Sequence, residues 1–370
     1  MKRLIYLMEN MLYTDTKNKN IVFFCNYFKK KGLGVNFLTT TNDENKEIKS
    51  FADNVPIIHF PATPAIKGGT KKLLFPLKYL IKERNNYDIV WCYLDRPSSF
   101  YSAMTKIIFG KKLMVKCDMS HPTKDPNILK RMWKYFTVYL PLKNADFILT
   151  ESKDIYEEVV QIKPKAIVKI IPNGVPVSDF LAADIRIGKI KKENVMITVG
   201  RVEPSKGIKE LIIAFDKFYS KNKEWRLNII GPTNNKEYKK ELDSLIKKLF
   251  AGKKPVNFLG QKFGDDLFKE MKRAKIFCAV SLKRAQGDSF NNALPQGIFF
   301  GATPVISDAG RLWTQVEGLD VKPVNSENVE ELTKSLEYAK NNMIDHNILR
   351  RHIEANFDWD KNLNKIKIPK

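Results

Sequence analysis

VMITVGRVEPSKGIKELIIAF, residues 195–215, joins an apolar run to a polar loop and then to a second apolar run of different spacing. The first run reads as a buried strand ending at Gly200. The second, from Gly207, has the 3–4 residue spacing of a helix. Arg201 and Lys206 stand in the loop at the strand's carboxyl end. Arginine can grip an anion in a bidentate way and lysine acts as a point charge, so the pair suits a diphosphate. Taken alone, the loop reads equally as one with ordinary surface cations. No GxGxxG occurs here or after the first strand, which argues against a dinucleotide oxidoreductase.

The same alternation runs outward in both directions. Towards the amino terminus, strands are predicted at 3–8, 35–39, 55–60, 88–93, 112–117, 146–150 and 168–171. Helices are predicted at 21–31, 72–82, 99–109 and 127–142. Beyond residue 200, strands at 226–230, 256–259, 275–280 and 303–306 are each followed by a helical run, and 327–368 is mostly helical. This rhythm predicts parallel βαβ units, that is, two Rossmann-like, doubly wound α/β domains. The charged stretch 178–193 lacks strong periodicity and reads as the linker between them. Two such sheets leave a cleft in which both sets of strand ends can meet one ligand.

At 370 residues, two domains are the natural expectation, and an apolar share of 43% is ample for their cores. Cys25, Cys92, Cys117 and Cys278 lie far apart and read as buried thiols of a reducing compartment. Neither the cysteines nor the four dispersed histidines form a metal-ligand spacing. There is no signal peptide pattern and no run of membrane-span length, so the chain reads as cytoplasmic. The net charge of +23 is spread over both halves. Compositional bias towards lysine accounts for it, or an anionic membrane surface, ligand or nucleic acid does.

Residues 279–310, AVSLKRAQGDSFNNALPQGIFFGATPVISDAG, read as strand end, polar loop, helix of about ten residues and strand. Asp288 and Gln296 are eight residues apart, about two helical turns, and fall roughly on one face. The small and polar residues between them would feed a helix start able to meet a phosphate.

These pieces together resemble the retaining GT-B glycosyltransferases, especially glycosyltransferase family 4 (glycosyl transferases group 1). Residues 200–207, GRVEPSKG, look like the family's G-R-x-x-x-x-K-G signature. Residues 171–175, IPNGV, resemble the element closing its first domain. Residues 229–231, IIG, and 256–260, VNFLG, resemble its strands, and 301–308, GATPVISD, resembles G-x-P-V-I-x-S-D with the glycine and serine each displaced by one. Residues 357–359, FDW, match the F-x-W before a helix that returns to the first domain.

The resemblance implies an acceptor-binding domain at 1–180, a nucleotide-sugar domain at 181–355 and a returning helix at 356–370. It implies transfer of a sugar from a UDP- or GDP-sugar to a glycan or lipid-linked acceptor of bacterial cell-surface polysaccharide, without a cofactor or metal. Gly200, Arg201 and Lys206 would hold the diphosphate, with Ser289 and the backbone amides of Phe290 and Asn291 beside them. Gln261 or Lys262 would lie beside the base. Asp288 and Gln296 stand where the family has an E-x7-E pair, for donor sugar and ribose; Gln296 keeps an acceptor and loses the charge. A catalytic-site histidine often follows the family's fifth strand, and here Asp118 and His121 occupy that region. Asp95 and Arg96 are further acceptor-site candidates. Glu9 and Asn10 replace the family's glycine pair.

Residues 127–143, NILKRMWKYFTVYLPLK, interleave cations and aromatics. They suit either an anionic leaflet, placing the protein peripherally on the inner membrane face, or a helix packing its aromatics on the sheet. The alternative function is a degenerate GT-B chain serving as a non-catalytic partner subunit, motivated by Gln296. A nucleic-acid binder has charge alone in its favour and no reading motif, so nucleic acid is not expected as a partner.

Overall fold

Apolar runs form the strands, and the central ones, such as β5 Ile89–Tyr93 and β13 Thr303–Ile306, are buried along their whole length, as parallel strands between helix layers must be, while the edge strand Ile167–Ile170 is largely exposed. The computed structural model describes residues 2–7, 20–41, 50–51, 55–61, 75–117, 127–162, 164–283 and 291–366. They divide into one unit of Met1–Asn173 with Asn362–Lys370 and a second of Gly174–Lys361.

In the first unit, β1 Arg3–Leu7, β2 Gly34–Thr41, β4 Val55–Pro61, β5 Ile89–Tyr93, β6 Lys112–Cys117, β7 Phe147–Thr150 and β8 Ile167–Ile170 are all parallel. The short β3, Ser50–Phe51, runs antiparallel to β4. The order is β3-β4-β2-β1-β5-β6-β7-β8, so the winding direction reverses between β1 and β5. The helices are α1 Asn20–Lys30, α2 Phe75–Lys82, α3 Pro97–Phe109, α4 Ile128–Lys134, α5 Leu140–Asn144 and α6 Lys153–Gln161, with a π-helical turn, Tyr135–Tyr139, between α4 and α5. Fully buried Trp91 anchors this core, with its ring 4.4 Å from that of Tyr6 and 4.5 Å from that of Phe24. Burying each such side chain contributes about 2 kcal/mol.

The second unit carries α7 Val177–Ile187, β9 Glu193–Val199, α8 Ile208–Lys221, β10 Arg226–Ile230, α9 Lys236–Phe250, β11 Val256–Phe258, α10 Gly264–Arg273, β12 Ala274–Ala279, α11 Ala293–Phe299, β13 Thr303–Ile306, α12 Val329–Asn341 and α13 His346–Asn356. Its five strands are parallel in the order β11-β10-β9-β12-β13, reversing between β9 and β12.

Three expectations need correction. The stretch read as a linker contains α7, which buries Val177, Phe180 and Ala183 while leaving Ile185 81% exposed, and that outward isoleucine blurs the periodicity. The division between units therefore falls before α7 rather than at residue 180. Phe180 lies 5.3–5.7 Å, ring to ring, from Phe268, Phe299 and Phe300 inside the second unit. The returning segment begins at Asn362, within α14 Trp359–Asn364, rather than at 356. Residues 357–359 stay with the second unit: Val175 N–H donates to the Phe357 carbonyl at 2.7 Å, and Trp359 N–H to the Val175 carbonyl at 3.1 Å. A side chain at Gly174 would come within 2.5 Å of the Phe357 carbonyl, which explains the glycine of IPNGV. Thirdly, α11 has seven residues rather than ten, because Gly301, at φ +81°, turns the chain towards β13.

Candidate functional site

In an open parallel sheet, the crevice outside the strands' carboxyl ends opens where the order reverses. In the second unit that point lies between β9 and β12. Thr198, Val199, Gly200, Arg201 and Lys206 from one side, and Ala279, Val280, Ser281 and Asn291 from the other, line a narrow crevice there. Arg201 also borders an outer groove of about 500 Å³ between the 201–205 loop and Pro232, Asn234 and Asn235.

Backbone contacts shape this corner. Gly207, at φ +64°, ends the short 3-10 turn Pro204–Lys206; a Cβ there would lie 2.0 Å from the Val280 carbonyl. Gly231, at φ +150°, passes so close to Gly200 that a Cβ would meet its carbonyl at 1.8 Å. Leu282 N–H donates to the Ser205 carbonyl at 2.9 Å, tying the loop to the segment after β12. Both glycines permit close approach between neighbouring strand ends, a conformation side chains oppose.

Within this frame Arg201 is exposed and pairs with Glu203 at 3.1 Å, while Ser205 Oγ donates to the same carboxylate oxygen at 2.7 Å. The guanidinium is thus held across the mouth of the loop, where a bound anion would compete with Glu203. Lys206 is half-buried. Beyond the crevice, Lys283 pairs with Asp308 at 2.7 Å, an interaction that raises the lysine pKa above its usual value.

Gly200, Arg201, Lys206 and Asn291 thus come together. Gln296 sits half-buried on α11. Gln261 is exposed and Lys262 half-buried, both following β11 at the sheet's outer edge, and neither lines the crevice or the groove. Asp118, His121, Asp288, Ser289 and Phe290 lie outside the described residues, as do Glu9 and Asn10.

Asn291 requires a correction. Its backbone N–H, expected to meet a phosphate, instead donates to Gln315 Oε1 at 3.0 Å. Its side-chain oxygen accepts from Ala293 and Leu294 N–H at 2.9 and 3.2 Å, capping α11. Nothing in the sequence singles out Gln315, a neutral residue within LWTQ without a charged or glycine-rich neighbour.

In the first unit, the reversal lies between β1 and β5. Asp95, just past β5, adopts φ +57°, an uncommon conformation for a residue other than glycine. Its carboxylate accepts from Trp133 Nε1 at 3.0 Å and Thr137 Oγ1 at 3.2 Å, so it is bound to the α4 segment and the π-helical turn. Lys116, fully buried on β6, donates to the Ile171 carbonyl at 2.7 Å and lies 3.7 Å from Glu151. Nothing local in the sequence marks this lysine, whose neighbours are those of an ordinary strand.

The exposure of residues 127–143 is uneven. Helix α4 buries none of its side chains. Ile128, Leu129, Met132, Trp133, Tyr135 and Phe136 are 42–72% exposed, beside exposed Lys130 and Arg131. The aromatics at this end of the segment are therefore not packed on the sheet. Among the described residues no helix is long and apolar enough to cross a membrane, and no cluster of acidic, histidine or cysteine side chains has metal-ligand geometry.

Comparison with known proteins bears on the second unit most directly. Residues 182–355 match the family described as glycosyl transferases group 1. The alpha-monoglucosyldiacylglycerol synthase of Acholeplasma laidlawii is 28% identical over 162 residues, 41% of this chain and only 40% of that protein's length. A glycosyltransferase from Rickettsia africae superposes with a TM-score of 0.75 at 16% identity, covering 98% of this chain and 96% of that one. Anabaena HepE, solved in complex with UDP-glucose, gives 0.68 at 16% identity, covering 99% and 98%. Likeness at this identity establishes the two-domain GT-B fold.

Proposed function

We propose, for a chain whose residues 182–355 belong to the glycosyl transferases group 1 family, that it is a retaining glycosyltransferase using a UDP- or GDP-sugar donor. The observation that carries this reading is the convergence of Gly200, Arg201, Lys206 and Asn291 on the β9/β12 crevice. Two cations at the carboxyl ends of parallel strands suit a nucleoside diphosphate. Charge growing on the departing diphosphate would be met by Arg201 and Lys206, fixed before the reaction begins. A diphosphate oxygen then takes the acceptor's proton on the face the donor leaves, so the glycosidase pair of carboxylates is not needed. The reading gives no step to a metal ion, and turnover should persist in EDTA. The relative named as a synthase of a glucosyl lipid and the neighbour solved with UDP-glucose support a hexosyl donor and a glycan or lipid-linked acceptor of the bacterial cell surface.

Calorimetric titration with UDP, GDP and ADP tests it. One should bind, and Arg201→Ala with Lys206→Ala should weaken binding roughly 100-fold or more, each charge-assisted contact being worth about 1.5–3 kcal/mol. No binding by the wild-type chain to any of the three overturns the reading. Binding without turnover across a panel of nucleotide sugars would favour a non-catalytic partner subunit, the reading that Gln296 motivates.

The same proposal places the chain peripherally on the cytoplasmic membrane face. Six large apolar side chains on an unburied, cation-bearing segment suit the interface of an anionic bilayer, where rings and aliphatic tips enter while lysine and arginine meet headgroups. Sedimentation with phosphatidylglycerol vesicles should exceed that with phosphatidylcholine, and Leu129→Glu should abolish the difference. Equal recovery with both vesicle types removes the membrane from the proposal.

A further inference from the structure

Gln315 is fully buried, and both polar atoms of its side chain are spent on one residue. Its Oε1 accepts the Asn291 N–H at 3.0 Å and its Nε2 donates to the Asn291 carbonyl at 2.9 Å, a two-bond grip on a single stretch of backbone. The two bonds fix the orientation of the amide, since a flipped side chain would set donor against donor and acceptor against acceptor. The grip is itself supported from behind. The Gln315 carbonyl is 2.9 Å from His352 Nε2, and Asn356 Nδ2 is 3.3 Å from His352 Nδ1. Desolvation holds the His352 pKa below its usual value, so the neutral ring donates through Nε2 to Gln315 and accepts through Nδ1 from Asn356. Asn291 in turn caps α11 and lines the crevice with Arg201 and Lys206.

We infer that Gln315 is a positioning residue for the nucleotide site: its two bonds to Asn291 fix the point where the segment after β12 enters α11, and so the wall opposite Arg201 and Lys206. This rests on the proposed nucleotide reading and adds to it. Asn291 contributes as a fixed wall, its N–H, carbonyl and side-chain oxygen all engaged within the protein, and phosphate recognition is left to other groups. A crevice whose wall is set before the ligand arrives spends less binding energy on ordering, which is the advantage of preorganisation.

Gln315→Leu keeps the approximate volume and removes both bonds. Hydrogen exchange in the free protein should show protection lost in the peptide spanning residues 291–300, while β9 and β10 stay protected. Titration with UDP, GDP and ADP should show at least tenfold weaker binding of whichever nucleotide the wild type takes, and KM for the matching nucleotide sugar should rise more than kcat falls. Gln315→Glu supplies the control that a general packing role would not pass. As a carboxylate it keeps the acceptor for the Asn291 N–H but faces the Asn291 carbonyl without a donor. Protonated, it regains one, so its binding relative to wild type should recover as pH falls. Unchanged exchange at 291–300, or nucleotide binding by Gln315→Leu within twofold of wild type, overturns the inference. Failure of the wild type to bind any of the three nucleotides overturns the proposed function as well, which separates the two failures.

Discussion

The two units solve the same topological problem with different materials. Each reverses its strand order next to its first strand, β1/β5 in one and β9/β12 in the other, the position at which an open parallel sheet can take a ligand beyond its strands' carboxyl ends. In the second unit the crevice there is framed by glycines and mouthed by Arg201 and Lys206. In the first, Asp95, just past β5, is committed to Trp133 and Thr137, and Lys116, one strand further on, to Ile171 and Glu151. The second unit's crevice is therefore shaped by backbone and keeps an arginine exposed at its mouth. The side chains described near the first unit's reversal instead fasten strands and a surface helix together. A binding site that must be ready before its ligand arrives is better built the first way, because backbone proximity costs no side-chain ordering on binding.

The sharpest way to break the comparison is to put a methyl group where the second unit allows none. Gly207→Ala combines a positive φ with a Cβ 2.0 Å from the Val280 carbonyl, so the loop and the segment after β12 must separate. A loss of about 4 kcal/mol or more is expected, from backbone strain and broken packing together. Gly200→Ala is the matched control: nothing lies within 4 Å of its Cβ and its φ is not in the left-handed region, so stability should change by about 1 kcal/mol or less. Urea unfolding of both variants checks the pair. If the two cost the same, the corner is not built on glycine proximity.

In the first unit the corresponding blow is Lys116→Met. It removes the cation 3.7 Å from the Glu151 carboxylate, which is only 8% exposed. Breaking a buried pair from one side costs about 3–5 kcal/mol, whereas replacing both members with apolar residues is often close to neutral. The double variant Lys116→Met, Glu151→Leu should therefore recover most of the loss. Denaturation midpoints of the two single variants and the double variant measure the coupling, and a double variant as weak as the sum of the singles would show that the pair is not a unit.

How far each unit was legible follows from the same contrast. The parallel strands were readable, because they are apolar runs, and β6, β10 and β13 fall where the sequence places them; the two-residue antiparallel β3, Ser50–Phe51, was not. Arg201 and Lys206 were readable because they stand between a strand's carboxyl end and a helix start, in a stretch that resembles a family signature. Helix α7 was not, since only Val177, Phe180 and Ala183 face inward and exposed Ile185 disguises the stripe. Gln315 and Lys116 were invisible for a different reason. Their roles lie in bonds to backbone groups 24 and 55 residues away, and nothing local in the sequence marks a side chain whose partner is distant main chain. Exposure of the α4 apolar residues was equally unreadable, since the sequence fits a packed helix and an interfacial one alike.

The smallest expected effect sets one buried lysine against the other. Lys192, in the second unit, has no carboxylate partner among the described residues like that beside Lys116. Its Nζ donates to the Ala274 and Phe300 carbonyls at 2.7 and 2.8 Å, and burial, with a smaller contribution from Lys272, pushes its pKa down to about 7. In the unfolded chain the group keeps its usual value, about 10.4. Below pH 7 both states carry the proton and the folded state bears the full cost of a buried charge. Between about 7 and 10 the folded state sheds the proton while the unfolded state retains it, so stability rises with pH, by at most about 1.4 kcal/mol per unit. Urea midpoints at pH 7, 8 and 9 should therefore climb for the wild type relative to Lys192→Met. A flat difference between the two across that range would mean that Lys192 stays charged, held by its carbonyls as firmly as Lys116 is held by Glu151.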